Sequence, residues 1–192
     1  DWRETVGYRR IGSPFEGHPN ISKIKGWELS GGSLGQALGV AVGSAMAAKI
    51  RNKNHWIVTH NSDGELQEGQ NWEAIMYGSG NKVDNLIVAV DLNGQQIDGS
   101  TDTVLPLGDV KGKFEAFGWD VVTIEQGNDI QAILEGMESA KTKTGQGKPI
   151  CVLLQTVMGN GVDFMMHTHA WHGKAPNDEQ LASALAQNPE TL

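Results

Sequence analysis

The chain has 192 residues, a formal net charge of −8 and one cysteine. That length suits a single α/β domain spanning 1–192 with a sizeable core. The acidic balance, with no Lys/Arg run longer than a pair, argues against a nucleic-acid or anionic-membrane partner.

In chain order, the first helical pattern covers residues 33–51, where Gly35, Gly39, Gly43 and Ala47 recur every four residues. Glycine costs up to about 1 kcal/mol at each helix position, so this smooth ridge points to close packing inside the fold or against a second subunit. The weakly polar run 38–48 falls short of the ~20 residues that span a bilayer. The N-terminus lacks the basic start and apolar core of a signal peptide, so a soluble cytoplasmic protein is expected. Short apolar, β-branched segments at 56–59, 86–92, 119–124 and 150–155 read as buried parallel strands. Cys151, inside the last of them, reads as a small core residue, and a lone thiol suits a reducing compartment. A helix over 67–78 places Trp72, Ile75 and Met76 on one face. Another over 129–143 does the same with Ile130, Ile133, Leu134 and Met137, with Asn128 as its N-cap. Residues 93–113 read as a long loop, and a short helix at 178–187 precedes a frayed end. Strand–helix alternation predicts a mostly parallel sheet flanked by helices, with ligands beyond the carboxyl ends of its strands.

Two motifs fall at those ends. Asp63-Gly64 closes one strand and Asn93 follows the next, which can bring two oxygen ligands together for a hard cation such as Mg²⁺. A cation held so keeps positions open for substrate phosphates and water, so the pair reads as a metal–diphosphate clamp. No G-x-G-x-x-G follows the first strand, which disfavours a dinucleotide-binding reading. His167, His169 and His172 have ligand-like spacing but no accompanying Cys or acid, which disfavours zinc. The tryptophans at 27, 56, 72, 119 and 171 read as core or interface aromatics. Glu65 and Glu68 stand near a helix N-terminus, where a carboxylate favours the dipole, the reading preferred for Glu65.

Five segments in order carry a resemblance: Gly17-His18-Pro19, Gly32-Ser33-Leu34-Gly35-Gln36, residues 63–70, residues 93–99, and Trp171-His172-Gly173-Lys174-Ala175-Pro176. Over residues 12–180 the chain resembles the thiamine-diphosphate-binding (PP-type) domain of transketolase, and more narrowly the separately encoded N-terminal subunit of split transketolases. The resemblance implies a thiamine-diphosphate-binding fold and transfer of a two-carbon ketol unit from a ketose to an aldose. It implies Mg²⁺ held by Asp63, Asn93 and the carbonyl of Gln95, with Gly64 letting the backbone approach the diphosphate. Gly32 and Leu34 would line the cofactor. His18 and His172 would contact diphosphate, substrate hydroxyls or both, as groups suited to proton transfer near neutral pH. Glu68 matches an acid at the subunit interface. The activating glutamate of such enzymes belongs to a Pyr domain, so a separately encoded Pyr-domain partner and a heterotetramer are expected, with sugars as substrates.

The chain departs from the pattern at several places. Ser62 replaces a glycine before Asp63, and a serine needing φ > 0 there would cost on the order of 1–3 kcal/mol. Ser62 could equally donate a hydrogen bond to phosphate. His60 and Asn61 occupy a usually apolar strand end, Gly31 stands where threonine is common, and Ala37 replaces a glycine. Met158 and Asn160 fall where lysines are common, and the helical segment usual before Gly17-His18-Pro19 is expected to be missing. Two other readings follow: ketol transfer to an unusual acceptor in a specialised pathway, and a degenerate structural or regulatory subunit.

Overall fold

The computed structural model describes residues 2–189, the side chain of Trp2 aside. In chain order its elements are α1 (Gln36–Ile50), β1 (Ile57–Ser62), α2 (Gly69–Gly80), β2 (Leu86–Leu92), β3 (Gln95–Gln96), β4 (Gly99–Ser100), α3 (Thr101–Val104), α4 (Val110–Ala116), β5 (Asp120–Ile124), α5 (Ile130–Thr142), β6 (Ile150–Gln155) and α6 (Asp178–Gln187). The expected frayed end extends into 190–192, outside the described residues.

Alternation along the two central strands decides the layering. The sheet order is β1-β2-β6-β5, every pairing parallel, so β2 and β6 lie inside it. Side chains alternate faces at a period of two. Leu86, Val88 and Val90 of β2, with Cys151 and Leu153 of β6, pack with Leu38, Ala41 and Val42 of α1, Ile75 of α2 and Phe114 of α4. Ile87 and Ala89, with Ile150, Val152 and Leu154, face the other way, against Ala140, Ile133 and Met137 of α5. Helices thus cover both faces. Trp119 closes the first layer: its indole N–H donates to the carbonyl of Ile75 at 2.8 Å, and its ring meets Phe114 edge-on. Cys151 is fully buried, and burial pushes its thiol well above the usual range. No helix among the described residues is long and apolar enough to cross a membrane.

Several local expectations need correction. The span 93–113 is not a featureless loop: it holds the β3–β4 hairpin, α3 and the start of α4. Met76 is exposed, because α2 buries Asn71, Ile75 and Gly78 instead. Ile130 and Leu134 of α5 are exposed as well. Asp129, not Asn128, caps α5, its carboxylate accepting from the Ala132 N–H. The Asn128 side chain instead accepts from the Val157 N–H, tying together the loops after β5 and β6. Of the tryptophans, Trp119 is core, while Trp27 and Trp56 are each about half exposed. Gly39 and Gly43 of α1 line an open groove between α1 and α2, and a Cβ at either would meet nothing. At Gly39 and Gly43 the glycine ridge is therefore not filled by packing among the described residues, whereas Gly35 packs against Glu68 and Gln70.

Candidate functional site

Parallel register sets the carboxyl ends of β1 and β2 level, with Ser62 beside Asp91. Asp63 continues the ladder, its N–H donating to the Asp91 carbonyl at 3.0 Å. Its side chain is almost wholly buried, at 2% exposure. One carboxylate oxygen accepts from the Gly64 N–H at 2.7 Å and the other from the Gly94 N–H at 2.6 Å. The second bond ties the end of β1 to the turn after Asn93. Burial raises the Asp63 carboxyl above its ordinary value, the two N–H donors partly counter it, and the charge of Asp91 adds to the rise. Among the described residues no Lys, Arg or His pairs with Asp63.

Asn93 has a fixed amide. Its Nδ2 donates to Asp91 Oδ2 at 3.0 Å and its Oδ1 accepts from the Gln95 N–H at 2.8 Å. Thr156, after β6, donates its hydroxyl to the other Asp91 oxygen. Asp91 therefore determines which end of the Asn93 amide points away from the sheet. Gly64 sits at φ −58°, a conformation open to any residue. Its glycine is required by space: a Cβ there would stand 2.7 Å from the Gln96 Cβ and 3.7 Å from the Gln95 carbonyl oxygen. The β3–β4 hairpin, whose first residue is Gln95, is thus pressed against the Asp63-Gly64 turn.

Ser62 ends β1 in extended backbone and is not among the residues with positive φ, so the strain expected of a serine here is absent. Its hydroxyl accepts from the Glu65 N–H at 3.1 Å. Gly32, at φ +100°, lies against His18, the imidazole Cγ being 2.7 Å from where a Cβ would stand. Gly31 packs likewise on Pro19. The structure thus joins two of the resembling segments, 17–19 and 32–36. Leu34 is about half exposed. Glu68 is exposed at the N-cap of α2, its side chain making no cap bond.

His172 stands apart. It follows a 3₁₀ turn, His169–Trp171, anchored by the Trp171 indole N–H to the Phe164 carbonyl at 2.8 Å. Among the described residues no hydrogen bond joins His172 to Asp63 or Asn93. No three His, Cys, Asp or Glu side chains among the described residues converge as a metal site, His167, His169 and His172 included. This end of the sheet carries two carboxylates, Asp63 and Asp91, with the Asn93 amide bonded to Asp91 and the Gln95 carbonyl beside Gly64.

A cleft of about 520 Å³ opens beside Asp63, walled by Gly94, Thr101, Leu107 and Gln155. It carries Asp102, Asp109 and Glu125 against Lys111 alone.

Sequence reading missed Asp91 and Thr156, although Asp91 lies two residues before Asn93 and so on the same strand face. It also misassigned Glu65. That carboxylate is buried and accepts from the Gly35 N–H at 2.7 Å, at the entrance of α1, so it serves a different helix from the one it precedes.

Residues 3–189 match the family described as transketolase, thiamine diphosphate binding domain. The chain is 39% identical over 187 residues to one of the subunits of the apulose-4-phosphate transketolase of Actinobacillus succinogenes, covering 97% of this chain and 66% of that protein. It is 37% identical to the 6-deoxy-6-sulfo-D-fructose transketolase subunit SqwG of a Clostridium species, covering 93% and 64%. Among solved structures, a transketolase from Campylobacter jejuni superposes with a TM-score of 0.86 at 33% identity, covering 96% of this chain and 29% of that one. The chain thus spans just under two thirds of the length of those two relatives.

Proposed function

The chain belongs to the transketolase family, and from that membership we propose that it holds the diphosphate end of thiamine diphosphate in an enzyme moving a two-carbon ketol unit from a ketose to an aldose. The observation that carries this reading is the buried Asp63 carboxylate, without a cationic side-chain partner, beside the oriented amide of Asn93. The donor set fits Mg²⁺: hard oxygens only, those of Asp63 and Asn93 each keeping a lone pair beside a backbone bond, and room for phosphate and water. Asp63, Asn93 and the Gln95 carbonyl hold the ion. The acidic wall of the neighbouring cleft repels a bare anion, so the diphosphate enters with its cation.

When bound, the cofactor supplies the chemistry that breaks and forms the carbon–carbon bond. The chain's own residues position and exchange protons. Gly64 leaves the space through which the backbone meets the diphosphate, and Gly32 and Leu34 line the cofactor. His18 and His172 bind substrate hydroxyls and shuttle a proton there. Because the two histidines lie on different exposed segments, closing the site is the work of a separately encoded Pyr-domain subunit, which meets this chain near Glu68. The names of the two relatives, each called a subunit, support this division of labour, and the proposed assembly holds two copies of each chain. The lone buried thiol of Cys151 suits a cytoplasmic setting.

A second reading keeps the cofactor and changes the substrate to an unusual sugar in a specialised pathway. The relatives named for apulose-4-phosphate and 6-deoxy-6-sulfo-D-fructose favour it. The degenerate-subunit reading rests on Ser62, His60 and Asn61, and loses the first of these, since Ser62 is unstrained. Calorimetric titration of Mg²⁺–thiamine diphosphate into the assembled complex tests the proposal, with Asp63→Ala as control. Saturable binding that the control abolishes is expected. A demonstrably assembled complex that binds nothing would overturn the proposal.

A further inference from the structure

The peptide group between Leu34 and Gly35 is held on both sides by the segment that follows Asp63. Glu65 Oε1 accepts from the Gly35 N–H at 2.7 Å, and Gln70 Nε2 donates to the Leu34 carbonyl at 2.9 Å. One side chain therefore takes the donor of this peptide and the other serves its acceptor. Glu65 is buried, which strengthens a charge-assisted bond, and it is itself placed by Asn71, whose Nδ2 donates to the Glu65 carbonyl at 2.5 Å. Gly35 adopts φ +82°, and a Cβ there would run into Gln70 Nε2 and stand 2.9 Å from the Glu68 Cβ. The fit admits only glycine. Leu34 itself remains about half exposed, an apolar side chain presented from a fixed backbone.

We propose that Glu65 and Gln70 are positioning residues that lock Leu34 to the metal loop, so that the wall for the cofactor's apolar rings is built from its metal–diphosphate end. The inference rests on the reading of Leu34 as a cofactor-lining residue. The two ends of the ligand are thereby recognised by one mechanically continuous unit. Gln70 is exposed and reaches Leu34 across the surface, whereas Glu65 works from within.

The test compares two probes on the complex assembled with its Pyr-domain partner: Mg²⁺ with inorganic diphosphate, and Mg²⁺ with thiamine diphosphate. Their affinity ratio isolates the contribution of the rings. Glu65→Ala and Gln70→Ala are expected to weaken thiamine diphosphate about tenfold while leaving inorganic diphosphate within about twofold. Glu65→Gln, whose amide oxygen can still accept from Gly35, is expected to restore most of the ratio. Faster hydrogen exchange at the Gly35 amide in Glu65→Ala, without cofactor, is the second readout. Equal loss of both probes, or loss of neither, would overturn the inference. If Glu65→Ala does not fold, the surface variant Gln70→Ala decides alone. A wild-type complex that binds inorganic diphosphate as tightly as thiamine diphosphate would overturn the assignment of Leu34, and the inference with it. Binding of both probes that persists in Asp63→Ala would instead sink the metal clamp.

Discussion

Burial holds the Asp63 carboxyl above its ordinary value, and the consequence depends on what neutralises it. In the metal-free chain the folded state binds this proton more tightly than the unfolded state, whose value lies near 3.8. Ionised Asp63 therefore lowers stability above its folded midpoint, and acidification from there towards 3.8 recovers that stability. Metal binding runs the opposite way, because only the carboxylate is a ligand. Magnesium affinity is expected to fall about tenfold per pH unit below the folded midpoint. Carbon-13 titration of the side-chain carboxyl, with and without Mg²⁺, checks both signs; a metal-free midpoint at or below the ordinary value would contradict them. Gly64 gives a second expectation at this scale. Its φ suits alanine, so in Gly64→Ala the one clash is with the Gln96 Cβ, and it should cost about 1–3 kcal/mol in a urea melt. Adding Gln96→Gly should return most of that, whereas a backbone-conformational cost would survive the second change.

Elements were legible where burial and chemistry agree. The bounds of β2 and β6 could be read from sequence to the residue, and the start of α6 likewise, since long apolar or well-capped runs admit one register. The face of α2 was not, because it buries Asn71 and Gly78 beside Ile75 and leaves Met76 in solvent. Gly78 goes inside since Trp119 lies over it, at 3.3 Å from where a Cβ would be, a long-range contact with no local trace. The span 93–113 was misread because its pieces are shorter than any periodicity window. They are defined by caps, Ser100 accepting from Thr103 and Asp109 from Gly112. Similarly, adjacent Asn128 and Asp129 are both plausible caps, and only their partners separate them. Asp129→Ala should lower the stability of α5 by about 1 kcal/mol with the loop at 155–160 unaffected. Asn128→Ala should instead speed exchange of the Val157 amide and move the melting point less. Equal effects of the two would mean that both side chains serve the helix.

The whole molecule exposes more surface than its mass requires. Its accessible area is 11852 Å², against about 8,900 Å² for a compact monomer of 20.7 kDa. The excess is unevenly placed: no residue of 3–34 and none of 155–189 is buried. The proposed site is split along the same line. Asp63 is buried and Asn93 and Gly64 are half-buried at the sheet edge, whereas His18, Gly32, Leu34 and His172 lie in the two unburied segments. The proposed metal end was therefore legible in sequence as a motif, and the residues proposed for it all belong to or follow the sheet strands. The proposed substrate end was legible only through resemblance, because His18 and His172 lie on exposed segments that no buried residue anchors; in the proposed assembly a partner chain brings them together. Hydrogen exchange measures this division directly. In the isolated chain, amides of 86–92 should exchange near the rate of global opening, since β2 is an interior strand of the parallel ladder over the core. Amides of 17–34 and 161–175 should exchange far faster, and adding the Pyr-domain partner should slow them about tenfold or more while leaving the ladder nearly unchanged. Protection of those two segments without the partner would show that the substrate end is already built, and the division of the site between two chains would then have to be abandoned.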